Sequence, residues 1–414
     1  MLAADGRVGM FASREARLAM KRSVTDYPVA GKRVFVRVDF NVPLEGGEVA
    51  DDMRIRAALP TIAYLRERDC SLVLASHLGR PKGQVVAGLR LGPVARRLAM
   101  LIDDEVHAVG DCVGPEVEAA ARTLAPGKML LLENVRFHAE ETANDPVFAA
   151  QLASLAEVFV NDAFGAAHRA HASTEGIAHC LPAVAGLLMM RELEMLGRLL
   201  GDPERPFVVV LGGAKVSDKI GVIRKMLDVA DKVLVGGAMC FPLLKAQGHG
   251  VGTSLVEAGT EEVAADVLAA AAASPGRFVL PQDVVVAAEA AAGASTDTVP
   301  ADAMPAGKMG LDIGSLTARD YAARIAAART VFWNGPMGLF EVDDFAAGTR
   351  EVAEAVAGCP GVSVVGGGDT VSAVRRFGVE DRITHVSTGG GASMEFLEGK
   401  VLPGVAALLD KEDG

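Results

Sequence analysis

The stretch FVVVLGGAKVSDK, residues 207–219, decides the fold class. Five apolar, mostly β-branched residues are typical of a buried strand, two glycines follow, and apolar residues then recur at helical spacing over residues 216–227. Strand-like runs alternate with helix-like stretches in the same way from about Lys32 to the C-terminus. This order predicts an α/β fold in which parallel sheets are flanked by helices.

Clusters of polar residues and glycines follow the predicted strands, and their composition differs between the two halves of the chain. In the first half, arginine recurs in and after the clusters at residues 39–41, 76–81, 133–136 and 161–165. In the second half, glycine recurs in the clusters at residues 212–215, 236–238, 334–336 and 366–370, and the first of them ends in Lys215. Ligands of open α/β sheets bind beyond the carboxyl ends of the strands. The pattern therefore predicts two Rossmann-like lobes, each holding one phosphate-bearing ligand.

The composition is typical of a well-packed protein with two domains. The chain has 414 residues, half of them hydrophobic, and a single core rarely grows that large. A net charge of −12 argues against nucleic-acid binding, which needs a basic face. The sequence contains no uninterrupted apolar run long enough to predict a membrane span. The five cysteines, without a C-x-x-C pair, favour reduced thiols in the cytoplasm over a disulfide framework or a zinc site.

A single helix is predicted to join the two lobes. Residues 187–200 are rich in Leu, Met, Arg and Glu, and the breakers Gly201, Pro203 and Pro206 follow them. We therefore expect a first domain at residues 21–186, a linker with a hinge helix at residues 187–203, and a second domain from residue 204. Residues 1–20 mix arginines with acidic residues and have no long apolar core, which favours a weakly ordered extension over a transit peptide.

Three glycine turns in the second half have the pattern of phosphate-binding sites. Between a strand and a helix, residues 212–219 combine two glycines with Lys215 and Lys219, and free backbone N–H groups there favour phosphate. If the helix has begun, the two lysines lie on one face. Residues 366–370 repeat the arrangement with Asp369, a carboxylate suited to Mg²⁺, and a third turn lies at residues 387–391. One such turn alone is as typical of an ordinary strand-to-helix connection.

Several familiar motifs are absent from the sequence. It contains no G-x-x-x-x-G-K-[ST], no protein-kinase motif set and no G-x-G-x-x-G of a dinucleotide-binding domain, which excludes those three classes. His138, His168 and His171 also lack the spacing of H-E-x-x-H, which favours solvent-facing or core roles over metal ligation.

Basic residues of the first half are predicted to converge on one ligand. His77 and Arg80 share a loop, Arg136 lies in the next, Arg169 follows a later strand, and Arg54 opens the first helix. A single arginine after a strand is usually part of a surface ion pair. Four arginines at strand ends or a helix start favour binding of a phosphate or carboxylate, to which the guanidinium fork is matched.

Together, these segments resemble the phosphoglycerate kinase family from Val29 to Leu408. The resemblance rests on eight segments in this order: VDFNVP (38–43), HLGRP (77–81), LENVRF (132–137), DAFGAAHR (162–169), LGGAKVSDK (211–219), WNGPMGLFE (333–341), GGDT (367–370) and STGGGAS (387–393). No position within them departs from the family pattern, and residues 1–20 lie outside it.

The resemblance implies reversible phosphoryl transfer between 1,3-bisphosphoglycerate and ADP, giving 3-phosphoglycerate and Mg-ATP, by a monomer. It implies that residues 393–414 return to the N-terminal domain. The implied substrate-binding residues are Asp39, Asn41, Arg54, His77, Arg80, Arg136 and Arg169. The implied nucleotide-binding residues, in a domain of residues 204–392, are Lys219, Gly237, Gly310, Asn334, Glu341, Gly367, Gly368, Asp369 and Thr370. Asp369 would position Mg²⁺, and Arg54 and Lys215 would act on the migrating phosphoryl group.

The chemistry of this reaction agrees with the residues present. The acceptor is a carboxylate, already ionised at neutral pH, so no general base is needed. Positioning, charge neutralisation and closure of the lobes against water are what the transfer requires. Two alternatives stay open from the residues alone: a non-catalytic two-lobe protein that binds a phosphorylated ligand, and an inactive relative with a scaffold role.

Overall fold

The computed structural model describes residues 21–411, so the predicted extension at residues 1–20 lies outside the described part of the chain. The strands are Arg33–Arg37 (β1), Leu44–Glu45 (β2), Glu48–Val49 (β3), Ser71–Ala75 (β4), Val106–Ala108 (β5), Met129–Leu131 (β6), Val158–Asn161 (β7), Ala183–Ala185 (β8), Phe207–Leu211 (β9), Lys232–Val235 (β10), Phe278–Val279 (β11), Asp283–Ala287 (β12), Asp297–Pro300 (β13), Met309–Ile313 (β14), Thr330–Asn334 (β15), Val362–Gly366 (β16) and His385–Val386 (β17).

The α-helices are Met53–Arg66 (α1), Gly92–Ile102 (α2), Pro115–Thr123 (α3), Ala139–Ala143 (α4), Pro146–Ala153 (α5), Leu187–Leu200 (α6), Ile220–Val229 (α7), Cys240–Ala246 (α8), Glu261–Ala272 (α9), Ser315–Ala326 (α10), Ala347–Ala357 (α11), Gly368–Arg376 (α12), Gly391–Leu397 (α13) and Pro403–Ala406 (α14). Short 3-10 turns lie at Val24–Asp26, Ala87–Leu89, Val135–Phe137, Phe164–Ala166, Gly176–His179, Ser217–Lys219, Asp343–Phe345 and Glu380–Arg382. No helix within residues 21–411 is long and apolar enough to cross a membrane.

Among the described residues, the first compact unit comprises 21–197 together with 401–411. Its six-stranded sheet has the order β5-β6-β4-β1-β7-β8, and every strand pair is parallel. The central strand β1 pairs Val34 with Leu72 on one side and with Val158 on the other. Buried apolar runs of this kind are expected where helices cover both faces of a parallel sheet.

The second unit comprises Arg198–Lys400 and repeats the architecture. Its parallel sheet has the order β11-β10-β9-β15-β16-β17, and all residues of β9 and β15 are buried. Strands β12, β13 and β14 form a separate antiparallel sheet. The chain reverses its direction of travel across the parallel sheet between β9 and β15, and such switch points are where open α/β sheets bind ligands. The predicted fold class, with two parallel sheets flanked by helices, is confirmed.

Helix α6 contains the boundary between the units, because the division falls between Gly197 and Arg198. Its start is capped from the end of β7, where Asp162 Oδ1 accepts from the amides of Leu188 at 2.9 Å and Met189 at 3.2 Å. Burial of this carboxyl raises the pKa of Asp162 to about 6. Helix α6 has the bounds that its composition predicts.

The chain returns to the first unit at Val401, later than the predicted residue 393. Helix α13 stays with the second unit because it packs on α7. Beyond it, Gly404 N donates to Ala167 O at 2.9 Å, and Leu409 N donates to Ala183 O at 2.9 Å. The buried Lys21 ammonium then binds Leu408 O and the Asp410 carboxylate, at 2.9 and 2.7 Å. The two ends of the described chain are thus joined on the first unit.

Candidate active site

Three of the predicted substrate residues meet at the carboxyl ends of β1 and β4. Arg54, in the first turn of α1, donates from Nη1 to Asp39 Oδ2 at 2.5 Å. His77 follows β4 and places Nδ1 3.9 Å from Asp39 Oδ1. Asp39 and His77 are buried, whereas Arg54 is 28% exposed. Arg54 can therefore contact a ligand while it holds the buried carboxylate.

Arg37 fixes the proton of His77 on one ring nitrogen. Arg37 ends strand β1, is fully buried, and places Nη2 3.1 Å from His77 Nδ1. A guanidinium can only donate, so Nδ1 accepts and Nε2 carries the ring proton. Burial, with the positive charges of Arg37 and Arg136, lowers the pKa of His77 well below its usual value. His77 is therefore a neutral hydrogen-bond donor at this site.

A buried carboxylate balances the charge of Arg37 through a serine. Arg37 Nε donates to Ser173 Oγ at 2.8 Å, and Ser173 Oγ donates to Glu141 Oε1 at 2.7 Å. Burial opposes ionisation of Glu141, but hydrogen bonds from His171 and Ser173 and the charge of Arg37 outweigh it and lower the pKa of Glu141. The sequence interpretation missed this network. Its one visible signal is an arginine within the apolar run VFVRV of a strand buried on both faces.

Arg136 and Asn41 converge on the backbone of Gly79. Arg136 Nη1 donates to Gly79 O at 2.9 Å, and Asn41 Oδ1 accepts from Gly79 N at 2.9 Å. Among the described residues, the buried Nε of Arg136 has no hydrogen-bond partner. Burial lowers the pKa of Arg136 to about 10, so the guanidinium is still charged at neutral pH. It offers a donor that a bound anion could use.

Arg169 and Arg80 complete the predicted set with less burial. Arg169 is half-buried and donates from Nε to His168 Nε2 at 3.0 Å. Its charge lowers the pKa of both His77 and Arg136, which places it in the same electrostatic cluster. Arg80 is exposed and follows Gly79 on its loop. The structure thus brings Asp39, Arg54, His77, Arg136 and Arg169 together, with Arg80 at their margin.

Lys219 joins the two strand ends at the switch point of the second sheet. Its Nζ donates to Gly212 O after β9 and to Asn334 O in β15, the second at 3.0 Å. Burial lowers the pKa of Lys219 to about 8, although Asp369 and Asp218 oppose this shift. Gly335 has a φ of +95°, and a Cβ there would lie 2.2 Å from Gly212 O, so the turn requires glycine.

Two adjoining cavities open at this switch point. The polar one has a volume of about 300 Å³ and is lined by Gly213, Ala214, Lys215, Asp218, Lys219, Asn334, Gly335 and residues 367–370. The apolar one has a volume of about 350 Å³, and its lining includes Gly237, Gly310, Leu311, Met337, Leu339 and Glu341. Gly213, Ala214 and Asp369 line both. A ligand with an apolar ring system and a phosphate tail would fit the pair.

The start of helix α12 faces the polar cavity. Gly367 precedes the helix with a φ of +93°, and Thr370 Oγ1 accepts from Gly335 N at 2.7 Å. The first-turn N–H groups of a helix favour phosphate through their dipole. Asp369 is exposed in that turn, and a carboxylate beside phosphates is the usual protein ligand of Mg²⁺. The residues present therefore fit a magnesium-bound phosphate chain.

Lys215 is not on a helix, in contrast to the conditional prediction that it shares a helical face with Lys219. Helix α7 begins at Ile220, after the 3-10 turn Ser217–Lys219. The Ser217 hydroxyl donates to Glu257 Oε1 at 2.7 Å, which anchors this turn. Lys215 is exposed and Lys219 half-buried, and both line the polar cavity.

Comparison with known proteins gives consistent matches across the chain. The family model described as phosphoglycerate kinase matches residues 24–400. The phosphoglycerate kinase of Moorella thermoacetica is 59% identical over 391 residues, which are 94% of this chain and 100% of the relative. That of Rubrobacter xylanophilus is 57% identical over 393 residues, 95% of this chain and 99% of the relative.

Solved structures match the whole architecture as well. The phosphoglycerate kinase structure from Coxiella burnetii has a TM-score of 0.85 at 40% identity and covers 94% of this chain and 98% of its own. The one from Pyrococcus horikoshii has a TM-score of 0.83 at 33% identity, with the same two coverages. The motif positions predicted from the sequence thus lie within a full-length match to one family.

Proposed function

Because the chain belongs to the phosphoglycerate kinase family, we propose that it catalyses reversible phosphoryl transfer from 1,3-bisphosphoglycerate to ADP, giving 3-phosphoglycerate and ATP. The observation that carries the proposal is a pair of complementary sites on a full-length family match. One unit holds a partly buried arginine cluster, and the other holds a polar cavity beside an apolar one. A non-catalytic binding protein is not favoured, since the full-length relatives are named as kinases.

The first unit would bind the glycerate ligand. Asp39 and Asn41 would hold its hydroxyl and carboxylate end, and the group His77, Arg80, Arg136 and Arg169 would hold the phosphate that does not react. This assignment is supported by the protonated Nε2 of His77 and the unpartnered Nε of Arg136, which are donors suited to an anion. Arg54, partly exposed beside Asp39, would face the migrating phosphoryl group.

The second unit would bind the nucleotide. Gly237 and Gly310 would border the base in the apolar cavity, and Glu341 at its margin would accept from the ribose hydroxyls. Lys219, Asn334 and the turn Gly367–Thr370 would hold the phosphates, with Asp369 as the ligand of Mg²⁺. When bound, Mg²⁺ would neutralise phosphate charge. Lys215, exposed in the polar cavity, would stabilise the phosphoryl group during transfer.

Transfer requires no base, because the acceptor carboxylate is already ionised, so these residues act by position and charge. Since the two ligands would bind different units, transfer also requires a motion that brings them together, and α6 would take part in it. We further propose that the protein acts as a cytoplasmic monomer without a nucleic-acid partner.

The test is transfer from Mg-ATP to 3-phosphoglycerate, followed as NADH oxidation through glyceraldehyde-phosphate dehydrogenase. We expect Lys215→Ala to lower turnover by orders of magnitude while both ligands still bind, since it removes charge stabilisation of the group in flight. Lys245→Ala, which removes an exposed lysine of the same unit outside both cavities, should leave turnover unchanged. If the wild-type chain binds both ligands without transfer, the binding-protein alternative is correct.

A further inference from the structure

A cysteine, a histidine and an aspartate meet beyond β5 and β6 of the first sheet, and none of the three is assigned to the substrate. Asp111 and Cys112 follow β5, and His138 follows β6 and the turn Val135–Phe137. The potential ligand atoms of these three side chains all lie within 4.8 Å of one another. His138 Nε2 lies 2.6 Å from Asp111 Oδ1.

The backbone holds these three residues in fixed positions. Strands β5 and β6 are paired in parallel, and beyond them Val109 N donates to Leu131 O at 3.2 Å. Glu133 N donates to Asp111 O at 3.2 Å, which ties the two loops together directly. The His138 ring stacks on Phe148 with centroids 4.9 Å apart. The ligand atoms are thus presented by two loops that paired strands and direct hydrogen bonds hold together, as a metal site requires.

The donor set is specific for one class of metal. Thiolate, imidazole and carboxylate are the ligands of Zn²⁺, whereas Mg²⁺ and Ca²⁺ prefer oxygen alone. Three protein ligands leave a fourth position for water, as in an open tetrahedral site. Cys112 is buried, but Asp111 is exposed and His138 is 26% exposed, so an ion can enter from solvent.

We propose that Asp111, Cys112 and His138 form a binding site for Zn²⁺ or a similar borderline divalent cation. On binding, the Cys112 thiol, which donates to Glu133 O at 2.9 Å, gives its proton to solvent as the metal–sulfur bond forms. The ion replaces the hydrogen bond between His138 and Asp111. The absence of H-E-x-x-H or C-x-x-C spacing does not oppose this site, because its ligands come from two loops that the parallel sheet brings together.

The site is tested by titrating the full chain, free of nucleotide and substrate, with Co²⁺ as a spectroscopic probe and then displacing it with Zn²⁺. We expect a sulfur-to-cobalt charge-transfer band that saturates at one Co²⁺ per chain. Cys112→Ser should abolish the band, and His138→Gln should weaken the affinity by more than about tenfold. Cys180→Ser, which removes an exposed thiol next to His179, is the matched control. It should change neither the charge-transfer band nor the Co²⁺ affinity.

The proposal is overturned if the wild-type chain gives no such band, if the band persists in Cys112→Ser, or if Cys180→Ser removes it. Because Cys112 is buried, far-UV circular dichroism must show that its variant is folded. If that variant does not fold, the test rests on His138→Gln, because His138 is partly exposed. Unchanged Co²⁺ affinity in His138→Gln then overturns the proposed site.

Discussion

Nucleotide binding should weaken as the pH rises above about 8, because Lys219 loses its proton. Its Nζ lies against Gly212 O and Asn334 O, and burial lowers the pKa of Lys219 to about 8 in the unliganded chain. The protonated form carries the charge. It is therefore the binding-competent form for phosphate: it predominates at pH 7, is half present near pH 8 and is lost above it.

The size of this effect follows from the fraction of protonated amine. At pH 9, one unit above this pKa, only about one-tenth of the unliganded chains keep the ammonium. If Lys219 stays protonated in the complex with ADP, the apparent Kd equals the intrinsic Kd divided by the protonated fraction. We therefore expect ADP to bind about tenfold more weakly at pH 9 than at pH 7. This corresponds to about 1.4 kcal/mol of binding free energy.

Isothermal titration calorimetry of ADP between pH 7 and 9.5 measures how the apparent Kd changes with pH. The nucleotide phosphates are already ionised in this range, so their own titration does not contribute to the change. Lys219→Met should bind weakly and show no pH dependence. Lys215→Met, which removes the neighbouring exposed lysine, should keep the wild-type slope. A flat wild-type profile, or an equal slope in Lys219→Met, would refute the assignment of this titration to Lys219.

Four further changes test the fold and the sites. Arg37→Met removes the guanidinium charge that balances the buried Glu141 carboxylate, which keeps only its bonds from His171 and Ser173, and should cost about 3–5 kcal/mol in urea unfolding; a loss below 1 kcal/mol would contradict the pairing. Gly335→Ala should lower Tm by several degrees, because its Cβ would meet Gly212 O at 2.2 Å, whereas Gly368→Ala, with nothing within 4 Å, should leave Tm unchanged. The raised pKa of Asp162, about 6, means that the folded state holds this proton more tightly than the unfolded chain. Stability should therefore fall by up to about 3 kcal/mol as the pH rises from about 4 to about 6, and Asp162→Asn should remove that dependence; an unchanged profile would exclude Asp162 as its source. Gly197→Ala places alanine in α6 at the unit boundary, with nothing within 4 Å of its Cβ. It should raise stability by about 1 kcal/mol and lower turnover without changing either ligand affinity, and unchanged turnover would argue against a hinge in this helix.

Features encoded by contiguous residues could be predicted from the sequence. The five buried residues of β9 and the whole of α6 have the predicted positions, because an apolar run and a helical period determine them locally. The predicted convergence of basic residues in the first half also follows from one rule, since parallel strands bring their carboxyl ends to one edge. Four of those basic side chains, Arg54, His77, Arg136 and Arg169, accordingly share one cluster.

Features that depend on distant contacts could not be predicted in this way. The turn before α7 is anchored by a bond between Ser217 and Glu257, forty positions apart. The Arg37–Ser173–Glu141 network and the cluster of Asp111, Cys112 and His138 require knowledge of which strands pair. The residue at which the chain returns to the first unit, Val401, depends on the packing of α13 against α7. None of these contacts leaves a local period or spacing in the sequence.

The two units keep positive charge in poorly hydrated positions by different means. In the first unit, burial lowers the pKa of Arg136 only to about 10, because an arginine starts from a very high value, so this cluster keeps its charge at neutral pH. In the second unit, burial lowers the pKa of Lys219 to about 8. The N-terminus of the helix that begins at Gly368 attracts phosphate through backbone N–H groups, which do not titrate. The alkaline limit of turnover should therefore come from the nucleotide site. Glycerate-ligand affinity should change little between pH 7 and 9, and a parallel loss of both affinities would show that the two sites are not electrostatically distinct.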